Sequence, residues 1–323
     1  MISINHTYNF VKTLTFYLLS PPLYLISLLP LNTLYKLSDL CFPLVYHILQ
    51  YRRKVVHTNL RRVFTNKTPA ELEQLAQDFY HYLCDLIFEH IKNLTISAPQ
   101  TLQKCKLRNP ELLDQLHAQG KHIILVAGHY GNWEWAGNAI ALQTRYQFNA
   151  LYKPLSHPYF DRWVQRMRTR FGRKLTDYRK AFPTMHAYKT TPTATAILAD
   201  QSPRTTQACM TTFLNQPTHV FRGVEKLARK LDHPVVYISM YRVRRGYYQA
   251  EAKLLFAAPT TTSPDEITIA HTRQLEIDIR NQPATWLWSH KRWLSTTVRQ
   301  SVRTLEQACR KPGGKSTIIC RCL

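Results

Sequence analysis

The amino-acid sequence predicts an α/β fold, with a mixed central sheet flanked by helices and an N-terminal membrane-associated helical segment. Three observations support this fold class. Short apolar runs alternate with helical stretches through the middle of the chain, which is typical of a sheet covered on both faces. Two further runs flank a glycine as the strands of a hairpin would. An uncharged stretch of about bilayer length lies near the N-terminus.

The N-terminal stretch carries no charged residue between positions 12 and 36. Its length suits a tilted transmembrane helix, although Pro21, Pro22 and Pro30 interrupt it and allow a kinked span or a re-entrant segment instead. A buried helix and a cleaved signal peptide are the alternatives. The Pro-Pro pair disfavours the first, and the late apolar start without a cleavage site disfavours the second. We therefore expect residues 1–50 to form a membrane anchor.

Positive charge dominates the rest of the chain. YRRKVVHTNLRR (51–62) follows the apolar segment, and such a flank predicts that the main body lies on the cytoplasmic side, against anionic headgroups. The whole chain has 43 Lys and Arg against 20 Asp and Glu, a formal net charge of +23. Nucleic acid, anionic lipid and an acidic carrier protein would all suit this charge. The basic residues are dispersed and form no nucleic-acid-binding motif, so nucleic acid is disfavoured.

The cysteines do not predict a disulfide framework. Their number is odd, seven, and their spacing is irregular, which favours reduced thiols in the cytosol. Cys320 and Cys322 have no second ligand pair with zinc-like spacing. We expect neither a metal nor a cofactor.

The first helices and strands can be assigned in order along the chain. Thr68-Pro69-Ala70-Glu71 is a capping box with proline at the first helical position, and it predicts a helix to about residue 94. A short helix is predicted over 110–119. Short apolar runs then predict five strands, at 122–127, 148–153, 194–199, 210–214 and 234–241.

Helices are predicted between and after these strands, near 133–143, 158–171 and 221–231. Gly246 joins VVYISMYRVRR to YYQAEAKLL as a hairpin, and a last helix covers 264–281. Residues 51–295 therefore form one domain. The basic tail at 296–323 is predicted to be disordered.

The stretch AGHYGNWEWAG holds the candidate catalytic residues, His129 and Glu134. It falls between a predicted strand and a predicted helix, where ligands of α/β sheets bind. The spacing alone is weak evidence, because about one such His–Glu pair is expected by chance. A second pair, His271 and Glu276, lies inside a predicted helix, where five residues separate the side chains by about 140°. We reject that second pair.

The chemistry of this pair suits attack by a hydroxyl on an acyl carbonyl. Neutral histidine is an effective base near pH 7, and a carboxylate behind it fixes the tautomer and stabilises the imidazolium. No serine or cysteine occupies a nucleophile elbow here, so direct transfer is favoured over an acyl-enzyme. The alternative is that His129 only caps or packs the helix.

Six stretches in order resemble the lipid A late acyltransferases, bacterial enzymes that add secondary acyl chains to a lipopolysaccharide precursor. They cover residues 51–295 and read YRRKVVHTNLRRVF, GHYGNWEWAG, LYKP…HPYFDRWVQRMRTRFG, ILADQSP, FRGVEKLARK and WLWSHKRW. The resemblance implies a glycerolipid-acyltransferase-like fold. Two features depart from the family: 203–210 lacks a glycine often found there, and the basic tail has no counterpart.

The resemblance also implies roles for individual residues. His129 would be the general base and Glu134 the carboxylate that orients it. Arg168 and Asp200 match positions that the family needs for activity. For Asp200, buried pairing with an arginine is an equally good interpretation. The candidates for substrate binding are Arg168, Asp200, Arg170 and Asn132.

The resemblance further implies the substrates and the location. Acyl carrier protein would supply the thioester, an anionic lipid A precursor would accept the chain, and an apolar groove would measure its length. The protein would lie at the inner membrane with its main domain on the cytoplasmic face. A glycolipid, an ornithine lipid or a lysophospholipid remains open as the acceptor, and so does coenzyme A as the donor.

Overall fold

The computed structural model describes residues 2–188, 190–203 and 208–293. The helices are α1 (Ile2–Leu28), α2 (Leu31–Pro43), α3 (Arg53–Val63), α4 (Pro69–Lys92), α5 (Ala98–Lys104), α6 (Pro110–Ala118), α7 (Trp133–Gln143), α8 (Pro158–Thr169), α9 (Ala181–His186), α10 (Gly223–Leu231) and α11 (Glu266–Asn281). A π-helical turn at Leu44–Ile48 follows α2. The predicted tail lies outside the described residues.

The strands are β1 (Cys105–Leu107), β2 (Ile123–Ala127), β3 (Gln147–Tyr152), β4 (Lys174–Asp177), β5 (Thr193–Leu198), β6 (Cys209–Phe213), β7 (Gln216–Val220), β8 (Val235–Arg244) and β9 (Tyr247–Phe256). Seven of them form one sheet in the order β1-β9-β8-β2-β5-β3-β4, and β6 pairs with β7 separately. β9 runs antiparallel to β8, while the strands from β8 to β4 are parallel to one another. The predicted mixed sheet is confirmed.

Strand β2 lies at the centre of the sheet, between β5 and β8. Its side chains alternate between two apolar cores. Ile124 and Val126 pack in the core on one face, whereas Ile123 and Leu125 pack on the other. All four are essentially inaccessible to solvent. Burial on both faces is the reason that β2 reads as an uninterrupted apolar run.

The strands and helices with long patterns were predicted well. All five apolar runs are strands, the hairpin turns at Gly246 with φ of +73°, and the capping box of α4 is present. The sequence did not predict β1, β4 or β7, nor helices α3, α5 and α9. Strands β1 and β4, at the two edges of the sheet, have only three and four residues and no apolar run. Such short segments show no measurable periodicity.

The N-terminal prolines act differently from the prediction. Pro21 and Pro22 lie inside α1, which continues past them, so the predicted interruption at these two residues is wrong. A proline leaves the carbonyl four residues earlier without its donor. Those carbonyls belong to Tyr17 and Leu18, whose side chains are exposed. Pro30 does separate α1 from α2.

Helix α2 is fixed to α4 through buried polar contacts. The hydroxyl of Tyr35 donates to Glu89 Oε1 at 2.8 Å, and that of Ser38 donates to Asp85 Oδ1 at 2.8 Å. Arg245, in the hairpin turn, also pairs with Asp85. Residues 1–50 are therefore joined to the rest of the fold by specific hydrogen bonds.

Among the residues that the structure describes, no helix is both long and apolar enough to cross a bilayer. The transmembrane helix expected from the sequence is thus not found there. The same part of the chain nevertheless exposes a concentration of large apolar side chains between positions 14 and 51. They are Leu14, Tyr17, Leu18, Leu19, Tyr24, Leu25, Leu28, Leu40, Leu44, Ile48, Leu49 and Tyr51.

Candidate active site

His129 lies in the turn that joins β2 to α7. Two backbone hydrogen bonds hold this turn: Gly131 N donates to Thr285 O at 3.0 Å, and Leu287 N donates to His129 O at 3.2 Å. Gly131 has φ of +58°, and a Cβ there would lie 2.6 Å from the side chain of Met240. Only glycine fits this position without displacing its neighbour.

Asp200 meets His129 because β2 and β5 are neighbours in register. Ala127 lies opposite Leu198, so the residues two positions further on lie at the same edge of the sheet. His129 Nδ1 is 2.6 Å from Asp200 Oδ1, and the His129 backbone N–H donates to Oδ2 at 2.9 Å. Trp286 Nε1 donates to Oδ2 as well, at 3.0 Å. The carboxylate is therefore held by three donors.

This contact determines how both groups are charged. Burial alone would lower the pKa of His129, but the neighbouring Asp200 carboxylate outweighs it and raises the pKa. Burial would raise the pKa of Asp200, but the same pairing holds it well below its usual range. A neutral His129 with its hydrogen on Nδ1 leaves Nε2 as an acceptor. Nε2 makes no hydrogen bond to another described residue, and the side chain is 18% exposed. It is therefore able to take a proton from a substrate.

Glu134 lies in the first turn of α7, as predicted, but the carboxylate that accepts the hydrogen bond of the His129 ring is that of Asp200. The Glu134 carboxylate accepts from Arg168 Nε at 2.8 Å and is also bonded by Arg168 Nη2. Arg173 Nη2 lies 3.4 Å from its other oxygen. Burial would raise the pKa of Glu134, but these guanidinium groups lower it to about 2. The predicted contact of Glu134 with His129 is corrected accordingly. A need for Glu134 in the reaction stays a prediction.

The buried group around Glu134 carries one surplus positive charge. Glu134 and Arg173 are almost fully buried, whereas the side chain of Arg168 is 27% exposed. Arg173 is further fixed by Asn138 Oδ1 at 2.7 Å. Glu134 thus holds Arg168 in place at the edge of the site. A guanidinium held in this way suits a phosphate or the oxygen of a carbonyl under attack.

Asn132 and Arg170, predicted to bind substrate, both make contacts within the protein, and their role in substrate binding stays a prediction. Asn132 caps α7, since its Oδ1 accepts from Trp135 N at 2.9 Å, and its Nδ2 donates to Glu89 Oε2 at 2.8 Å. Arg170 donates to the carbonyls of residues 93 and 96, at 2.8 and 3.0 Å. Both side chains therefore satisfy backbone or buried groups of the protein itself.

Two of the six motifs contact each other around this site. Helix α3 and Arg52, the residue before it, supply three side chains from the first motif that donate to carbonyls of WLWSHKRW. Arg52 Nη1 donates to Ser289 O, Asn59 Nδ2 to the carbonyls of 288 and 290, and Arg62 Nη1 to Trp293 O. These bonds fix the segment that carries Trp286, and so they support the donor that holds Asp200.

The rejected pair does not form a dyad. His271 is buried, and burial lowers its pKa to about 4. Glu276, further along α11, pairs with Arg280 and accepts from Leu214 N at 2.9 Å. The two side chains therefore have different neighbours and do not contact each other in the described hydrogen bonds, as the helical geometry predicted.

Two apolar spaces flank the site. One, of about 60 Å³, lies against Gly128 and Trp133 and is too small for an acyl chain. The other is an open groove of about 510 Å³. Its walls include Leu49, Ile87 and Leu287, and it reaches Gln201, the residue after Asp200. Ligand pockets commonly have volumes of about 300–1,000 Å³, so of these two spaces the groove is the one with the size for a lipid chain.

Sequence reasoning did not assign three contributors to the site. Trp286 lies in a motif that was noted without a role, and its donation to Asp200 depends on tertiary contact. Arg173 follows the predicted helix and shows no periodic signal. Glu89 lies at a helical position, and only its complete burial distinguishes it from a surface residue. A buried charge is the signal that would have found the last two, and burial is a property of the fold.

Comparison with known proteins identifies what this fold and site belong to. A family model described as bacterial lipid A biosynthesis acyltransferase matches residues 3–295. A lipid A biosynthesis acyltransferase of Haemophilus influenzae is 24% identical over 271 residues, which cover 82% of this chain and 83% of that protein. The protein is therefore an acyltransferase. The chain belongs to the bacterial lipid A biosynthesis acyltransferase family, which confirms the resemblance.

Proposed function

We propose that the protein transfers an acyl chain from an acyl carrier protein thioester to a hydroxyl of a lipid A precursor, with His129 as the general base. The observation that carries this proposal is the pair of His129 Nδ1 and Asp200 Oδ1, 2.6 Å apart, with Nε2 left open. Proton abstraction by such a base contributes roughly 10²–10⁴-fold to a rate.

The acceptor hydroxyl loses its proton to His129 Nε2 as its oxygen attacks the thioester carbonyl. The carbon–oxygen bond forms, the carbon–sulfur bond breaks, and the proton passes from His129 to the departing thiolate. Asp200 stabilises the imidazolium that exists between these two transfers. This assignment replaces Glu134 as the orienting carboxylate.

Arg168 is the second group that we assign to the reaction. It lies at the edge of the site and is aligned by Glu134, which bonds two of its nitrogens. Its charge can stabilise the oxyanion or bind a phosphate of the acceptor. Glu134 acts through Arg168 and is a positioning residue.

Charge and apolar surface support the choice of substrates and location. The net charge of +23 suits both a phosphorylated lipid and an acidic carrier protein. Arg52, Lys54 and Arg61 are exposed beside the apolar surface between positions 14 and 51. Apolar groups that enter the interface, next to basic groups at the headgroups, suit a protein bound to the cytoplasmic face of the inner membrane.

The open groove is proposed to hold an acyl chain of the reacting lipids. Val45, Leu49, Leu83, Ile87 and Leu287 give it apolar walls. Its Gln201 end is adjacent in sequence to Asp200, and two of its wall residues, Leu49 and Tyr51, belong to the exposed apolar surface between positions 14 and 51. A chain lying there would lead from the membrane to the base.

The test is acyl transfer from a carrier-protein thioester to a tetra-acylated lipid A precursor. His129→Ala should lower turnover by roughly 10²–10⁴-fold without changing the thermal unfolding midpoint by more than a few degrees. His186→Ala, at an exposed histidine, is the matched control and should stay at the wild-type rate. Unchanged turnover in His129→Ala would refute the base.

The acceptor is tested by the same assay with a glycolipid, an ornithine lipid and a lysophospholipid. Transfer to lipid A precursor should be fastest. Faster transfer to one of the other lipids would refute lipid A precursor as the acceptor and leave the base assignment intact.

A further inference from the structure

A small cavity lies against Asp200, and His129 is not among the residues that line it. Its volume is about 10 Å³, and its lining includes Asp200, Thr272, His271 and Arg292 among apolar side chains. This volume is close to that of one water molecule, and polar walls with two to four partners are what a buried water requires.

Two buried nitrogens at this cavity have no hydrogen-bond partner among the described residues: His271 Nε2 and Arg292 Nε. The side chains are only 3% and 6% exposed, respectively. A buried donor or acceptor without a partner costs about 1–3 kcal/mol, so such atoms are nearly always bonded to protein or to water. Neutral His271 can accept at Nε2, and Arg292 can only donate.

Asp200 has one acceptor site left for the same molecule. A carboxylate offers about four lone-pair sites. Oδ2 uses two, for His129 N and Trp286 Nε1, and Oδ1 uses one for His129 Nδ1. One site on Oδ1 remains. A water that accepts from Arg292 and donates to His271 and Asp200 would satisfy all three groups.

Arg292 also acts on the loop that follows Asp200. Its Nη1 donates to Ser202 Oγ at 3.3 Å, and Ser202 Oγ donates to Arg292 O at 3.1 Å. The Ser202 backbone N–H donates to His290 Nε2 at 3.2 Å. Within the described residues, Arg292 forms no ion pair with a carboxylate. Asp200 is the negative group whose field acts on it.

We propose that this cavity binds one water molecule that joins Arg292 and His271 to Asp200, and that Arg292 is a positioning residue for the His129–Asp200 pair. The guanidinium holds the carboxylate in place, because Arg292 and Asp200 line the same cavity and the water bonds to both. This gives a role to WLWSHKRW beyond Trp286.

The first test needs no substrate. A high-resolution crystal structure of the full chain should show one water bonded to Arg292 Nε, His271 Nε2 and Asp200. His271→Leu removes the acceptor and should expel that water, whereas His271→Gln should retain it. An empty or closed cavity in the wild-type protein would refute the water site.

The second test measures the hydrogen bond between His129 and Asp200 by NMR. The Nδ1 proton of His129, bonded to Asp200, should give a far-downfield proton NMR signal in the full chain. Arg292→Met and His271→Leu should shift that signal or broaden it by faster exchange, and Arg292→Lys should partly restore it. Arg280→Met, at a partly exposed arginine on α11, is the matched control. An unchanged signal in both Arg292→Met and His271→Leu would overturn the positioning role.

The activity test rests on the proposed function. In acyl transfer, Arg292→Met should lower kcat by roughly tenfold with little change in KM, as loss of support behind a catalytic group does. If Arg292→Met does not fold, His271→Leu provides the same comparison. The two proposals can fail separately. If the wild-type protein transfers no acyl chain but the NMR signal still changes in the variants, the proposed function fails and this inference stands.

Discussion

The carboxylate of Asp200 accepts hydrogen bonds from both the ring and the backbone of His129, although 71 positions separate the two residues. Glu134 is only five positions from His129, yet it turns into the protein and binds two arginines. Proximity in sequence favoured Glu134 as the carboxylate that contacts His129. Pairing of β2 with β5 decided for Asp200.

Replacement of Asp200 by Asn should inactivate the enzyme while preserving its shape. The amide can donate to His129 Nδ1 and so favour the wrong tautomer, with hydrogen on Nε2. Such a change lowers kcat by roughly 10⁴-fold in a comparable triad. Acyl-transfer kinetics would measure this, with Asp78→Asn on the exposed side of α4 as the matched control. A kcat within tenfold of wild type would contradict the orienting role.

Replacement of Glu134 by Gln should destabilise the protein as well as slow it. The amide leaves Arg168 and Arg173 as neighbouring cations without a counterion, and breaking a buried pair costs about 3–5 kcal/mol. Urea denaturation would measure the loss. Asp39→Asn, in an exposed pair with Arg245, is the control and should cost less than about 1 kcal/mol. Equal losses in the two variants would contradict a buried ionic role for Glu134.

Activity should fall on the acid side at a pH above the ordinary pKa of histidine. Asp200 outweighs the effect of burial and raises the pKa of His129, and the base must be neutral to act. kcat/KM should therefore decline as the pH falls through an apparent pKa above about 6.5. In the residual activity of Asp200→Asn, the decline of kcat/KM at acid pH should move to lower pH. An apparent pKa at or below about 6.5 for this decline in the wild-type protein would contradict the raised pKa of His129.

The pairing of His129 with Asp200 also stabilises the folded protein, and this contribution falls as the pH rises, whereas the activity increases. Because the folded state binds the proton more tightly than the unfolded chain, this contribution is full below about pH 6.5 and is lost as the pH rises through the folded pKa. Thermal unfolding of wild type and of His129→Ala between pH 5 and about pH 9 would show it as a difference that shrinks at high pH.

Glu89 should connect the N-terminal helices to the catalytic turn. Its carboxylate accepts from Tyr35, Tyr248 and Asn132, each at 2.8 Å. Burial outweighs these bonds and raises its pKa to about 7. Glu89→Leu leaves three buried donors without an acceptor and should cost about 3 kcal/mol or more. Glu89→Gln keeps an acceptor and should cost about 1 kcal/mol.

The measurement for Glu89 is urea denaturation of both variants at several pH values. Since the folded state holds the proton up to about pH 7, the wild-type protein should lose stability as the pH rises from about 4.5 to about 7. Glu89→Gln should lack this decline. Equal stability of the Leu and Gln variants would contradict the buried network.

Much of the fold was predictable because its signals are local. Apolar runs marked β2, β3, β5, β6 and β8, and the capping box fixed the start of α4. The two shortest strands, β1 and β4, were missed, since three or four residues carry too little periodicity. Pro21 and Pro22 were misjudged, because a helix with an exposed face tolerates carbonyls that lack a donor.

The sequence by itself determined the α/β class, the strand-to-helix turn at His129 and the family to which the chain belongs. These depend on local pattern and on the order of motifs along the chain. Only the tertiary structure decided which carboxylate contacts His129 and that Glu134 binds Arg168. It also decided that Trp286 donates to Asp200 and that Arg292 lines the same cavity as Asp200. The reason is physical: strand register brings together residues far apart in sequence, and burial then sets the charge and the partners of each group.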